Sequence, residues 1–174
     1  MNELAMAEMN QIETELIMLG TGNATVTKCY NTCFILQTKE TVLLVDGGGG
    51  NGILNQLEKV DVPIDSIHDM FVTHAHTDHI LGAVWMIRII AQRASNGHYF
   101  GTFRVYGHDK VLMVLEQICR MTLPVSVMKA INKHIEFYEI KNGDTLQLGD
   151  LSLQCFDIVS TKEKQYGFRA LLPN

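Results

Sequence analysis

Apolar residues recur along this chain in short blocks separated by polar or glycine-rich turns. Glu15–Leu19, Cys33–Gln37 and Val42–Asp46 read as strands, the second and third joined by a polar turn around Lys39 and Glu40. Gly20–Asn23 closes the first strand, and four glycines, Gly47 to Gly50, follow the third. A helix from about Ile53 to Lys59 precedes Pro63. Met70–Val72 is wholly apolar, as a buried strand is, and Ile80–Ile90 has the all-round apolar pattern of a buried helix. Asn96-Gly97 is a turn, and Phe103–Tyr106 is a strand. Asp109 then stands where it can cap a helix from about Lys110 to Met121. Ile135–Ile140 reads as a strand, and Asn142-Gly143-Asp144 as a turn. Thr145–Leu148 and Leu151–Asp157 alternate around Gly149-Asp150, a hairpin signature. Gly167–Leu172 reads as a last strand. Strands meander first and then alternate with helices, which predicts an α/β chain: a mixed sheet with helices on one outer face.

At 174 residues the chain is expected to form one domain over 1–174, or to be an incomplete larger one. The 47% apolar content is enough for a substantial core. Arg88, Gln92 and Arg93 break the longest apolar stretch, so no membrane association is expected. Glu3, Glu8 and Glu13, with no early basic residue, do not make a secretory leader, and the expectation is a cytoplasmic protein. Met6 and Met9 are alternative starts, so residues 1–13 read as a dispensable extension. Cys29, Cys33, Cys119 and Cys155 are read as reduced, mostly buried thiols. A net charge of −5 argues against nucleic-acid binding over the whole surface while leaving room for a local basic patch. Met113, Met121 and Met128 are read as core filler, His68, His98 and His134 as surface residues, and His108 as a polar residue at a strand end.

Chemistry concentrates in Thr73-His74-Ala75-His76-Thr77-Asp78-His79, between the Met70–Val72 strand and the long helix. Four candidate ligands, His74, His76, Asp78 and His79, are spaced H-x-H-x-D-H. Alternate residues of an extended segment point the same way, so His74 and His76 can grip one cation, while Asp78 and His79, beginning the next turn, point toward a second. Imidazole and carboxylate suit zinc, manganese or iron, and the expectation is two divalent metal ions, zinc first among them. Such ions generate a hydroxide nucleophile and stabilise the attacking and leaving oxygens of a phosphodiester. A solvated loop is the bland reading, but it does not account for three histidines and an aspartate at this spacing. Asp46 is assigned to accept an N–H from a ligand histidine and fix its tautomer. The glycines after Asp46 lack a following Lys-Ser/Thr and so are read as close backbone approach, not a phosphate loop. Gly20, Thr21 and Gly22 form either a tight turn or a substrate-facing loop.

The T-H-A-H-T-D-H segment, preceded by Leu44-Val45-Asp46-Gly47-Gly48, resembles the metallo-β-lactamase-fold hydrolases. Leu19–Ala24 and Gln165–Arg169 are similar to stretches of the ribonuclease Z branch, and the resemblance runs over about residues 15 to 172. It implies a metallo-β-lactamase-like αββα sandwich, two zinc ions, and a metal-dependent hydrolase, a ribonuclease Z-like phosphodiesterase using a metal-bound hydroxide. It places His74 and His76 on the first metal and Asp78 and His79 on the second, with Asp78 also assisting proton transfer. It implies a phosphodiester or RNA substrate. Two departures stand out. Val159 or Thr161 occupies the place of a third histidine, and a bridging aspartate and final histidine of the C-terminal half do not occur here. The sandwich is therefore expected to be incomplete at the C-terminus, with an open face that a homodimer could cover. His108 and His134 are the candidate replacements for the absent ligand, and nothing in the spacing favours either. The alternative function is a truncated, non-catalytic metal-binding or interaction module.

Overall fold

The computed structural model describes residues 14–131 and 133–172. The expected extension over residues 1–13, with Glu3, Glu8, Met6 and Met9, lies outside the described residues. Two sheets and one layer of helices make up the fold. The larger sheet has six strands in chain order: β1 (Glu15–Gly20), β2 (Cys33–Gln37), β3 (Val42–Val45), β4 (Asp69–Phe71), β5 (Phe103–Gly107) and β6 (Ile135–Glu139). The first three pair antiparallel, and β3 to β6 run parallel. The smaller sheet is an antiparallel meander of β7 (Thr145–Leu148), β8 (Leu151–Asp157) and β9 (Tyr166–Leu171). Helices α1 (Gly52–Lys59), α2 (Thr77–Ser95), α3 (Asp109–Thr122) and the short α4 (Val125–Met128) come between the strands of the large sheet.

The period-two alternation of each strand sorts its side chains into two cores. Ile35, Leu44, Met70, Val72, Phe103 and Val105 face the helices. Leu36, Leu43, Val45, Phe71 and Tyr106 face Leu151, Leu153, Cys155 and Tyr166 of the small sheet. Phe71 and Phe168 meet edge to face across the two sheets, 5.0 Å between ring centres. Central β4 is buried on both faces, so its short sequence is apolar except for Asp69, which is paired to Arg104 at 2.7 Å. Helix α2 buries Ile80, Ala83, Met86, Ile87 and Ile90, as an apolar helix at the centre of its layer must. The outer face of the small sheet carries Phe156, Ile158 and Leu171 exposed, with no helix over it among the described residues.

Several expectations need correction. Helix α2 starts at Thr77, three residues before the expected Ile80, and its first turn holds Asp78 and His79. Asp109 is the first residue of α3, whose N-cap position is His108 and makes no side-chain cap; the Asp109 carboxylate instead takes Lys164 at 2.6 Å. Met113 and Met121 are solvent-exposed, because they fall on the outer face of an amphipathic α3 whose buried stripe is Val111, Leu115 and Cys119. His68 is half-buried, 2.9 Å from the Tyr99 hydroxyl. Cys33, Cys119 and Cys155 are buried and Cys29 is exposed, all four unpaired.

Candidate metal centre

Parallel pairing brings the C-terminal ends of β3, β4 and β5 to one edge of the large sheet, where an α/β sheet exposes its crevice. Asp46 follows β3, Thr73 to His79 follow β4, and His108 follows β5. Asp46 is 5% exposed and holds the left-handed backbone (φ 57°), which aspartate tolerates better than most residues. That turn aims its carboxylate at the segment after β4. One oxygen, Oδ1, accepts the Thr73 backbone N–H at 2.8 Å. Oδ2 accepts the Thr73 hydroxyl at 2.8 Å and stands 2.8 Å from His79 Nδ1. The Thr73 hydroxyl is in turn 2.9 Å from His74 Nδ1.

These contacts fix the protons. A carboxylate only accepts, so His79 Nδ1 carries its hydrogen and the Thr73 hydroxyl donates to Asp46. Having spent its proton, that hydroxyl accepts from His74 Nδ1–H. Both imidazoles, when neutral, therefore take the Nδ1–H tautomer and leave the Nε2 lone pair free. Burial, and next the neighbouring His79, push the His74 imidazole down to about 4, so it stays neutral. Burial works against protonation of His79, yet its bond to Asp46 and the nearby carboxylates raise it above its ordinary value.

The cluster is assembled in pairs. The rings of His74 and His79 are 4.0 Å apart, and those of His74 and His76 4.7 Å, centre to centre. His79 Nε2 stands 3.4 Å from Asp78 Oδ2, a gap that one tetrahedral cation spans with bonds of about 2.0–2.1 Å. His76, exposed at the N-cap position of α2, lends its carbonyl to the amides of His79 and Ile80, both at 3.0 Å. Among the described residues no three His, Cys, Asp or Glu side chains converge to hold an ion. By donor chemistry, and for His74 and His79 by tautomer, the residues suit divalent cations, but of the four candidates only His79 and Asp78 already face each other across a cation-sized gap.

Glycines let the backbones close around this cluster. A Cβ on Gly82 would lie 1.7 Å from the Gly47 carbonyl oxygen, and Gly47 N–H bonds the His79 carbonyl at 2.8 Å. The close-approach reading of the Asp46 glycines is therefore correct for Gly47. Gly48 packs instead on the Tyr30 ring, whose hydroxyl lies 2.8 Å from both the Gly47 and Gly50 carbonyl oxygens, with one hydrogen to share between them. Gly20, Thr21 and Gly22 are not a tight turn: Gly20 ends β1 and Gly22 bridges to Asn31, its N–H donating to Tyr30 O at 2.9 Å. Gly20 and Thr21 line a cavity with Tyr30 and Lys59 that includes none of the cluster residues. The bridge partner Asn31 places its side chain under Gly49, beside Asp78.

Sequence reasoning missed the part played by Thr73, which opens the histidine run, and placed His108 correctly at a strand end without foreseeing its burial. His108 is fully buried at the same sheet edge, its ring 5.3 Å from that of Tyr166 and its Nε2 without a hydrogen-bond partner among the described residues. Burial keeps its pKa below the ordinary value. His134 caps the opposite end, bonding Phe103 N–H through its carbonyl at 2.8 Å just before β6, which removes it as a replacement ligand. Val159 and Thr161 are exposed on the β8–β9 segment and bring no donor to the cluster.

The family model of the anti-Pycsar protein Apyc1 matches residues 14–172. The chain belongs to that family. Anti-Pycsar protein Apyc1 of Bacillus phage BSP38 is 37% identical over 70 residues, 40% of this chain and 27% of that protein. Ribonuclease Z of Crocosphaera subtropica is 27% identical over 158 residues, 89% of this chain and 47% of that one. The expected ribonuclease Z branch is thus a more distant kinship than the family itself. The chain spans about half or less of the length of these curated relatives. Among solved structures, the metallo-β-lactamase fold protein YhfI from Bacillus subtilis aligns with a TM-score of 0.69 at 19% identity, over 91% of this chain and 58% of that one. Zn(2+)-bound PqqB from Methylobacterium extorquens aligns with a TM-score of 0.62 at 14% identity, over 90% and 58%. These likenesses establish the α/β metallo-β-lactamase-like fold. No helix among the described residues is long and apolar enough to cross a membrane.

Proposed function

We propose that this chain is a metal-dependent phosphodiesterase acting on a small nucleotide phosphodiester, a cyclic nucleotide in the first place. The observation that carries the reading is the relay His74–Thr73–Asp46–His79, which leaves two Nε2 lone pairs free beside Asp78. Nothing in a structural core requires two adjacent imidazoles to be held in the one tautomer that can ligate. His74, His76, Asp78 and His79 would hold the ions. Divalent cations, when bound, supply an acidified water and offset phosphate charge. The chain's own residues do the rest. Asp46 and Thr73 hold the histidines in register, and the Gly47–Gly82 contact fixes the distance between the two turns. Asp78, 14% exposed at its side chain, would assist proton transfer through the carboxylate oxygen that does not face His79. Family membership supports hydrolysis, and the net charge of −5 favours a compact substrate over a long RNA.

The test is hydrolysis of a 3′,5′-cyclic mononucleotide, with a single-stranded RNA in parallel, in added zinc or manganese. Turnover of the cyclic nucleotide that disappears in His76→Ala supports the reading. No turnover of either substrate at full zinc occupancy overturns it. A second reading, a non-catalytic metal-binding or interaction module, is favoured by one observation: the donors meet in pairs and, among the described residues, no third one closes the set. It predicts zinc binding without turnover in the same experiment.

A further inference from the structure

Helix α2 carries more than the ligands of its first turn. Asp78, Leu81, Trp85 and Arg88 recur at the spacing that places residues on one helical face. Trp85, the only tryptophan of the chain, is 37% exposed although α2 is otherwise the most buried helix. The Arg88 guanidinium stands over its indole, 5.6 Å from the ring centre. Both border a groove of about 290 Å³ whose other walls include Leu81, Ile118 and Leu123, and whose rim is the backbone of Gly49 and Gly50. That rim touches the candidate metal centre, since a Cβ on Gly49 would lie 4.0 Å from the Asp78 Cα. Trp85 is seven residues from Asp78, roughly 10 Å along the helix axis, and helical side chains lean back toward the N-terminus, so the indole reaches toward the ligand turn.

We propose that this groove is the base-binding subsite, taking the flat heterocycle of a nucleotide whose phosphodiester lies at Asp78 and the histidines. The proposal rests on the phosphodiesterase reading for its substrate class and deepens it. An apolar wall, an exposed indole face and a guanidinium are the groups that hold a nucleobase without reading its sequence: stacking on the ring, cation–π support, and N–H donors to the ring carbonyls. The groove and the metal centre share one helix face and meet at the Gly49 backbone, an arrangement that suits a ligand with a charged end and a flat end. A flexible alkyl tail lying in the groove would gain nothing from the Arg88 guanidinium.

Because Trp85 is the sole tryptophan, its fluorescence reports occupancy directly. The experiment titrates the full chain, and His76→Ala in EDTA, with a cyclic mononucleotide and with ribose 5-phosphate. Saturable quenching by the nucleotide and none by the sugar phosphate is the expected result in both proteins. The His76→Ala arm needs neither metal nor turnover, so quenching there with no hydrolysis anywhere would sink the phosphodiesterase reading and leave the subsite standing. In the zinc-loaded enzyme Trp85→Ala should raise KM for the nucleotide about ten-fold or more, well beyond its effect on kcat, and Trp85→Phe should recover most of the loss. Absent or equal quenching by the two probes, or an unchanged KM in both Trp85→Ala and Arg88→Ala, overturns the subsite. So does conversion of a dimer to a monomer by Trp85→Ala at unchanged KM, which would assign the groove to a second copy of the chain.

Discussion

Replacing Asp46 by asparagine separates charge from shape at the centre of the relay. Asparagine accepts the left-handed backbone of this position, so the turn itself is not strained. Its one oxygen can keep the Thr73 N–H, and its amide nitrogen then stands where Oδ2 received the Thr73 hydroxyl and His79 Nδ1. Both neighbours must now accept. The hydroxyl can turn and donate to His74 Nδ1, which sends that ring's proton to Nε2, and His79 makes the same shift. Charge-assisted bonds give way to neutral ones at a net cost of about 2 kcal/mol, a fall in Tm of roughly 4–8 °C for a domain of this size. The metal affinity should suffer more, by about 10- to 100-fold, because both ligating lone pairs are now protonated. Thermal unfolding in EDTA reads the first effect, competition titration with zinc the second, and imidazole nitrogen chemical shifts the tautomers. Asp46→Asn binding zinc within two-fold of the parent, with both rings still protonated at Nδ1, would refute the relay.

Acid should weaken the metal-free protein through His74. Its pKa is about 4 folded against 6.5 ordinarily, so between those values the unfolded chain takes a proton that the folded chain refuses. Stability therefore falls as pH drops through that window, by up to about 3 kcal/mol, and His74→Asn should flatten the fall seen in denaturant midpoints. His79 has the opposite sign. Its raised pKa gives stability that is complete below 6.5 and is lost as pH rises through the folded value, so the cluster favours a maximum near neutrality. Gly82→Ala drives a Cβ into the Gly47 carbonyl and should cost more than about 3 kcal/mol; a Tm within 2 °C or so of the parent would show that the loops part easily. Val159 holds a left-handed φ of 55° at 80% exposure, costly for a β-branched side chain and unrelieved by packing. Val159→Gly should therefore raise stability by about 1 kcal/mol, and a destabilised variant would mean that the valine side chain makes a contact that matters.

How far the sequence reaches depends on whether a feature is local. The ligand run was legible because all four donors lie within six residues, and the strands because period-two alternation is imposed by the two sheets they separate. The buried character of α2 was visible in its apolar run, and the thiols in their apolar neighbours. What stayed hidden was long-range. That Asp46 serves a ligand histidine was legible, but not that this is His79, 33 residues on, nor that Thr73, 27 residues on, links Asp46 to His74; the parallel pairing of β3 with β4 brings these segments together. His108 and His134 look alike in sequence, yet they fall at opposite ends of neighbouring parallel strands, one beside the cluster and one remote from it. The groove at Trp85 exists only because α3 packs beside α2 and leaves one face of the indole uncovered. The sequence by itself settled which groups can bind a cation, since that is a property of side-chain chemistry. Which of them are held in ligating tautomer, and what lies next to them, the tertiary structure decided, because hydrogen bonds between distant segments form only once strand order has fixed their separation.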